Sequence, residues 1–198
     1  MTKFWLIRHA ETDTAGNTIT GRLPGVHLNA MGRRQAELLV SQLRPAPLTA
    51  IYASPLERAR ETAAPLAQAK QLTILTCEAA IEVEFGEWSG KTWQELEAMP
   101  AWRRFNLLRS STAAPGGELM LDVQARIVRA MENLRLRHAD QDVAIISHGD
   151  IIRAAVAHYA GIPIDLFERI EISTASTTVM TLDEHRARFL TINRTVEL

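Results

Sequence analysis

Two short apolar runs, "FWLIRHAET" near the start and "VAIISHGDI" at residues 143–151, constrain this chain more than any other feature. Each ends on a histidine, and each histidine is followed by a small residue and then an acid. Runs this short and this apolar read as interior strands of a sheet covered on both faces. Helical stretches separate the strands, which predicts a mostly parallel sheet with right-handed crossovers. In such a sheet the carboxyl ends of the strands share one edge, and ligands bind there. His9 and His148 are therefore expected at the same edge, together with Arg8. Arg58 joins them, because it falls in the first turn of the helix that follows a further strand, "AIYAS".

The fold class this implies is an α/β three-layer sandwich: a mostly parallel central sheet flanked by helices, with a small helical insertion over the carboxyl ends of the strands. At 198 residues the chain reads as a single domain, 1–198, with the insertion at about 77–117. "AMGRRQAELLVSQLR" carries Ala36, Leu39, Val40 and Leu43 at helical spacing and is stopped by Pro45 and Pro47. "SPLERARETAAPLAQAK" predicts a helix with Ser54 as N-cap, Pro55 at the first position and Glu57 completing a capping box. "LTILT" is a further strand, "LMLDVQARIVRAMENLRLRHA" a long helix, and "DIIRAAVAHYAG" a helix ended by Gly161. The tail, "RIEIS" and then "TTVMTLDEHRARFLTINR", alternates like edge strands with a turn near Glu184.

A formal net charge of −1 gives no reason to expect nucleic acid or an acidic membrane as partner. Cys77, the single cysteine, excludes an intrachain disulfide and a cysteine-based metal site. The apolar run after Lys3 is too short for a signal-peptide core, and no stretch approaches the roughly 20 apolar residues of a membrane span. A reducing cytoplasm is the default expectation, and a homodimer is compatible with this composition.

Two guanidiniums and two imidazoles near one point of a nearly neutral protein repel one another unless an anion occupies the cluster. The bland alternative pairs Arg58 or Arg60 with Glu57 and Glu61 along a helix surface. A metal site built from the two histidines with Glu82 or Glu84 is opposed by the two arginines. A nucleotide-driven enzyme is disfavoured too: no Gly-rich loop ends in Lys-Ser/Thr, and Lys3, Lys70 and Lys91 are the only lysines.

In its motifs the chain resembles the histidine phosphatase superfamily, which includes the phosphoglycerate-mutase-like phosphatases. The likeness covers nearly the whole chain and rests on five segments in the family's order: "LIRHAET", "SPLERARETA", "IEVEFGEWSG", "APGGE" and "IISHGDIIRA". The resemblance implies that His9 attacks phosphorus to form a phosphohistidine. It also implies that Arg8, Arg58 and His148 grip the phosphoryl oxygens, with Gly149 as a further phosphate contact; Asn17, two residues beyond the position where the family often has an asparagine, is the candidate to stand in for it through a shifted loop. Glu82 becomes the general acid and then the base, and no cofactor or metal is needed. The chemistry is coherent on its own terms. A neutral imidazole can attack phosphorus if a strand-end carbonyl holds its other nitrogen. Guanidiniums and an imidazolium stabilise charge where it develops.

Spacing alone does not choose between Glu82 and Glu84, which point the same way in an extended "IEVEFGEW". The family pattern favours Glu82, and Phe85 and Trp88 nearby can dry its carboxyl and raise its pKa. The chain departs from the pattern at Ala10, where a glycine is usual, at Ala15, where an asparagine is frequent, and at Leu119, where many relatives have serine. Phosphatase and mutase share the phosphohistidine; a compact middle and a strand-like end favour a phosphatase acting on a small phosphomonoester. A catalytically silent binding module is the remaining alternative. Gly21, Arg22, Leu23 and Trp102 are candidates for the pocket wall, with Trp88, Trp93, Phe105 and Leu108 beside them, although aromatic residues at such spacing more often pack a small core. An inward-facing Arg22, Arg103 or Arg104 would add a second anion site.

Overall fold

A computed structural model describes residues 1–197. Among them, six strands form one sheet in the order β3-β2-β4-β1-β5-β6: β1 Thr2–Arg8, β2 Leu48–Ala53, β3 Ile74–Thr76, β4 Asp142–Ser147, β5 Thr177–Leu182 and β6 Ala187–Arg194. The first four are mutually parallel, β5 runs antiparallel to β1, and β6 runs antiparallel to β5.

Strict alternation along the strands builds the two cores. Phe4, Leu6, Val143 and Ile145 face one cluster, shared with helices α5 Met120–Arg137 and α6 Gly149–Ala160. Ile7, Ile51, Ala144 and Ile146 face the other, under α1 Ala30–Leu43 and α2 Glu57–Lys70. The expected three layers are present. No helix among the described residues is long and apolar enough to cross a membrane.

The register of β1 on β4 places the site. Arg8 pairs with Ser147, and the amide of His9 donates to the carbonyl of Ser147 at 2.8 Å, so His9 and His148 emerge side by side. The middle segment covers the same edge with two short 3-10 turns and the helices α3 Trp93–Glu97 and α4 Pro100–Leu107. Gly86 is required there. It has φ +50°, and an added Cβ would lie 2.2 Å from the Pro115 carbonyl oxygen, where "EFGEW" crosses "APGGE".

Three local expectations fail. Helix α2 starts at Glu57 with Leu56 as N-cap and no side-chain cap, because the hydroxyl of Ser54 is engaged by His148 and Glu57 accepts from the amide of Gly25. "RIEIS" is no strand: it ends a 3-10 turn, Ile164–Arg169, and continues as loop, with the Ile172 carbonyl held by Arg8. Of the tail strands only β6 is an edge, since β5 lies between β1 and β6.

Candidate active site

At the carboxyl end of β1, His9 is 7% exposed and its Nδ1 bonds the carbonyl of the next residue, Ala10, at 2.8 Å. A carbonyl only accepts, so Nδ1 carries the proton and Nε2 keeps its lone pair. Burial first, and then the charges of Arg58 and Arg8, push the His9 pKa well below its ordinary value. The nucleophile suggested by the sequence is thus held neutral and oriented.

His148 is fully buried, its ring centroid 5.1 Å from that of His9. Its Nε2 is 2.8 Å from Ser54 Oγ, and its Nδ1, which lacks a hydrogen-bond partner, lies 3.8 Å from Glu82 Oε2. Burial first, and then Arg58, His9 and Arg8, push its pKa well below the ordinary value. The Ser54 hydroxyl accepts from the Leu56 amide and pairs with Nε2; in the tautomer where it donates to Nε2, the His148 proton sits on Nδ1, facing the cluster.

The two arginines are anchored by one nitrogen each. Arg8 Nη1 donates to the Ile172 carbonyl at 2.6 Å, and Arg58 Nη2 to the Gly21 carbonyl at 2.8 Å. Arg8 Nε and Arg58 Nε and Nη1 are buried without a partner. Arg58 is 1% exposed, which removes the surface-pair reading; Glu61 instead bonds His27 and the Leu28 amide. Thr62, one turn along α2, ties this helix to the segment after His9 by donating to the Arg58 carbonyl and accepting from the Ala10 amide. Four buried donors on three side chains, all cationic or imidazole, converge where an acceptor-rich anion fits.

Glu82 supplies the only carboxylate in this inner group. Its Oε1 accepts from the Val83 amide, and its pKa is raised to about 7, mainly by burial and then by Asp150, against the pull of Arg58 and Arg8. Glu84 faces away, accepting from the Gly86 amide, 3.9 Å from Arg22. Arg22 does not line the cavity either. Its Nε donates to the Glu82 carbonyl and its Nη2 to Glu118, so it props the Glu82 backbone from outside.

A cavity of about 340 Å³ opens over Arg8 and His9, with Gly21, Glu82, Trp102 and Gly149 in its wall. Leu23 lies outside it, 39% exposed, and Asn17 is exposed and absent from its lining, its carbonyl accepting from Trp93. Trp93 and Phe85 line it; Trp88 and Phe105 pack the small aromatic core, and Arg103, Arg104 and Leu108 border a separate surface groove. Among the described residues no cluster of three or more His, Cys, Asp or Glu side chains is arranged to hold a metal ion.

Residues 4–195 match the family described as histidine phosphatase superfamily (branch 1). The chain belongs to this superfamily. Over 203 aligned positions it is 34% identical to phosphoserine phosphatase 1 of Hydrogenobacter thermophilus, covering 100% of this chain and 95% of that one. Among solved structures, Bacillus stearothermophilus YhfR superposes with a TM-score of 0.91 at 28% identity, covering 100% and 98% of the two chains. A mycobacterial glucosyl-3-phosphoglycerate phosphatase in complex with VO3 gives a TM-score of 0.88 at 25% identity, covering 98% and 99%. These relatives support a phosphatase.

The departures from the histidine phosphatase pattern now have structural accounts. Ala10 is not among the residues with positive φ and packs into the core beside Ile7, so no glycine is needed. Leu119 takes the N-cap position of α5 with no side-chain cap, the place where a serine would bond the helix. Sequence reasoning missed Ser54 because its position also fits a helix cap. It also missed Arg109, Asp150, Arg153 and Glu168 in the cavity wall. The spacing of Asp150 and Arg153, three apart on one helix, was the one available signal; Arg109 has none.

Proposed function

We propose that this chain is a metal-independent phosphomonoesterase that hydrolyses a small phosphorylated metabolite through a phosphohistidine on His9. The carrying observation is the pairing of a free His9 Nε2 with the unpartnered donors of Arg8, Arg58 and His148. Nε2 attacks phosphorus, the bond to the ester oxygen breaks, and Glu82 gives that oxygen its proton. The resulting carboxylate then takes a proton from water as the water oxygen attacks phosphorus, the P–N bond breaks, and phosphate leaves. The guanidiniums and the Nδ1–H of His148 hold the equatorial oxygens throughout, so positioning and charge complementarity supply most of the rate. Fixed cations at the phosphoryl site take the place of a metal ion and oppose its binding. Gly149 lies against Arg8 in the cavity wall, where an added Cβ would stand 3.4 Å from Arg8 Cζ, in van der Waals contact.

Rapid base quench of the wild type with a phosphomonoester is expected to trap an acid-labile phosphoprotein that His9→Ala does not form, and turnover is expected to survive EDTA. Near-normal activity in His9→Ala would sink the mechanism. If 3-phosphoglycerate with 2,3-bisphosphoglycerate isomerises faster than it is hydrolysed, the acceptor is a second substrate hydroxyl and the protein is a mutase.

A further inference from the structure

The segment "APGGE" places no residue in the wall of the cavity, yet the side chain at its end reaches the backbone that carries Glu82. Glu118 is partly buried, and its two oxygens take four donors. Oε1 accepts from Arg126 Nε at 3.0 Å, while Oε2 accepts from Arg22 Nη2 at 2.7 Å, from Arg126 Nη2 at 3.2 Å and from the Glu84 amide at 3.3 Å. Both arginines also donate to one further atom, the carbonyl oxygen of Glu82: Arg22 Nε at 2.8 Å and Arg126 Nη2 at 3.3 Å. Arg126, on α5, holds the Ala79 carbonyl through Nη1 as well, and the Ser147 hydroxyl, one residue before His148, holds that of Ala80. The Glu118 amide closes the ring on the Glu84 carbonyl at 2.8 Å.

Residues 79–84 lie outside the sheet, so side-chain donors take the place of ladder bonds at these carbonyls. The Glu82 side chain is tied to that backbone in turn. Its Oε1 accepts from the Val83 amide, so Oε2, which lies 3.8 Å from His148 Nδ1, moves with the peptide that follows. A shift at the Glu82 carbonyl is therefore a shift of the carboxyl against the leaving oxygen. Two guanidiniums on one carbonyl repel each other unless an anion stands between them. The Glu118 carboxylate is that anion, and its bidentate grip on Arg126 fixes the plane of the fork. Burial pushes the Glu118 pKa up, but the bond and charge of Arg126 outweigh it and hold the carboxyl below its ordinary value, so it stays ionised.

We propose that Glu118 is the positioning residue for the general acid: by joining Arg22 and Arg126 on the Glu82 carbonyl, it sets where the Glu82 carboxyl stands against the leaving oxygen. This rests on the reading of Glu82 as the acid of a phosphomonoesterase. Neither Glu118 nor the two arginines line the cavity, so they act on the reaction through Glu82.

The test is a double-mutant cycle of Glu118→Gln and Glu82→Gln, measured on phospho-L-serine and on p-nitrophenyl phosphate, with Arg22→Gln and Arg22→Lys beside it. Glu118→Gln keeps the shape of the side chain and removes the charge that joins the arginines. It should lower kcat on phosphoserine by about 10–100-fold, the effect of a misplaced catalytic group, with KM little changed. The loss on p-nitrophenyl phosphate should be much smaller, because its leaving group needs no proton. In the Glu82→Gln background the same substitution should cost phosphoserine no more than p-nitrophenyl phosphate, since the group it positions is gone. Arg22→Gln should repeat the selective loss, and Arg22→Lys should recover little of it, because an ammonium cannot bond carbonyl and carboxylate as a planar fork does. Arg22 is the more exposed member, so its variants decide the matter even if Glu118→Gln fails to fold. Equal losses on the two substrates, or a selective loss that persists in the Glu82→Gln background, overturns the assignment while leaving the phosphatase reading intact. A Glu82→Gln variant without leaving-group dependence overturns Glu82 as the acid, and a wild type that hydrolyses neither ester overturns the phosphatase; each takes the assignment with it.

Discussion

Glu82 and Ser54 show how much of the chemistry turns on single side chains. A general acid is worth about 10²–10⁴-fold, most of it when the leaving oxygen is a poor one. Glu82→Gln keeps the shape of the side chain but carries no proton to give. It should therefore slow phosphoserine far more than p-nitrophenyl phosphate, and Glu84→Gln, turned away toward Arg22, should show no such dependence. The pH profile follows from the same group. The acid must be protonated, and its pKa is raised to about 7, so kcat/KM for an alkyl phosphate should fall as pH rises through about 7. That limb should vanish in Glu82→Gln; a limb that persists would assign the proton elsewhere, first to His148. Ser54 acts through His148 instead of touching substrate. Ser54→Ala leaves buried Nε2 without a partner, at a cost of about 1–3 kcal/mol in urea unfolding. It also frees the tautomer, so kcat should drop more than KM rises.

At the scale of elements, the nucleophile loop depends on how closely α1 approaches the end of β1. Asn29 caps α1, accepting from the Gly32 amide at 2.7 Å while its own amide donates to Glu11. Gly32 lets the helix close up: a Cβ there would lie 2.0 Å from the Glu11 carbonyl oxygen, two residues beyond His9. Backbone cannot yield as a flexible side chain does, so Gly32→Ala should destabilise by at least the roughly 1–3 kcal/mol of an overpacked site. It should also lower kcat by moving the strand end. Asn29→Ala removes the cap, about 1 kcal/mol, and the side-chain bond to Glu11 while leaving the Gly32 approach intact, so kcat should be retained. Equilibrium unfolding alongside turnover separates the two cases; equal kcat in both variants would show that the α1 approach does not set the position of His9.

For the molecule as a whole, the cation cluster is a cost to folding that an anion repays. Burial lowers the pKa of Arg8 and of Arg58, the mark of guanidiniums held out of water without full compensation. A ligand that binds only the folded state adds about 2.7 kcal/mol at a hundred times its Kd. For a chain of this size that raises Tm by about 5–10 °C. Vanadate followed by thermal melting is expected to show such a shift in the wild type and little of it in Arg58→Ala. An unmoved Tm in the wild type at saturating vanadate would contradict an anion site at this edge.

The primary structure by itself determined the layers, the parallel core of the sheet and the meeting of Arg8, His9, Arg58 and His148 at one edge. These follow from local periodicity and from the rule that parallel strands end together, both readable within a few residues of each position. Only the tertiary structure placed Glu82 in the cavity and Glu84 toward Arg22, turned Arg22 outward onto Glu118, moved Ser54 from helix cap to partner of His148, and set Arg109 between two phenylalanine rings. Those choices lie in irregular backbone, whose side chains take direction from long-range bonds such as Glu118 amide to Glu84 carbonyl and Glu87 amide to Pro115 carbonyl. No repeat in the chain encodes such bonds, because each is closed by residues distant in sequence that are brought together only when the sheet and helices have packed.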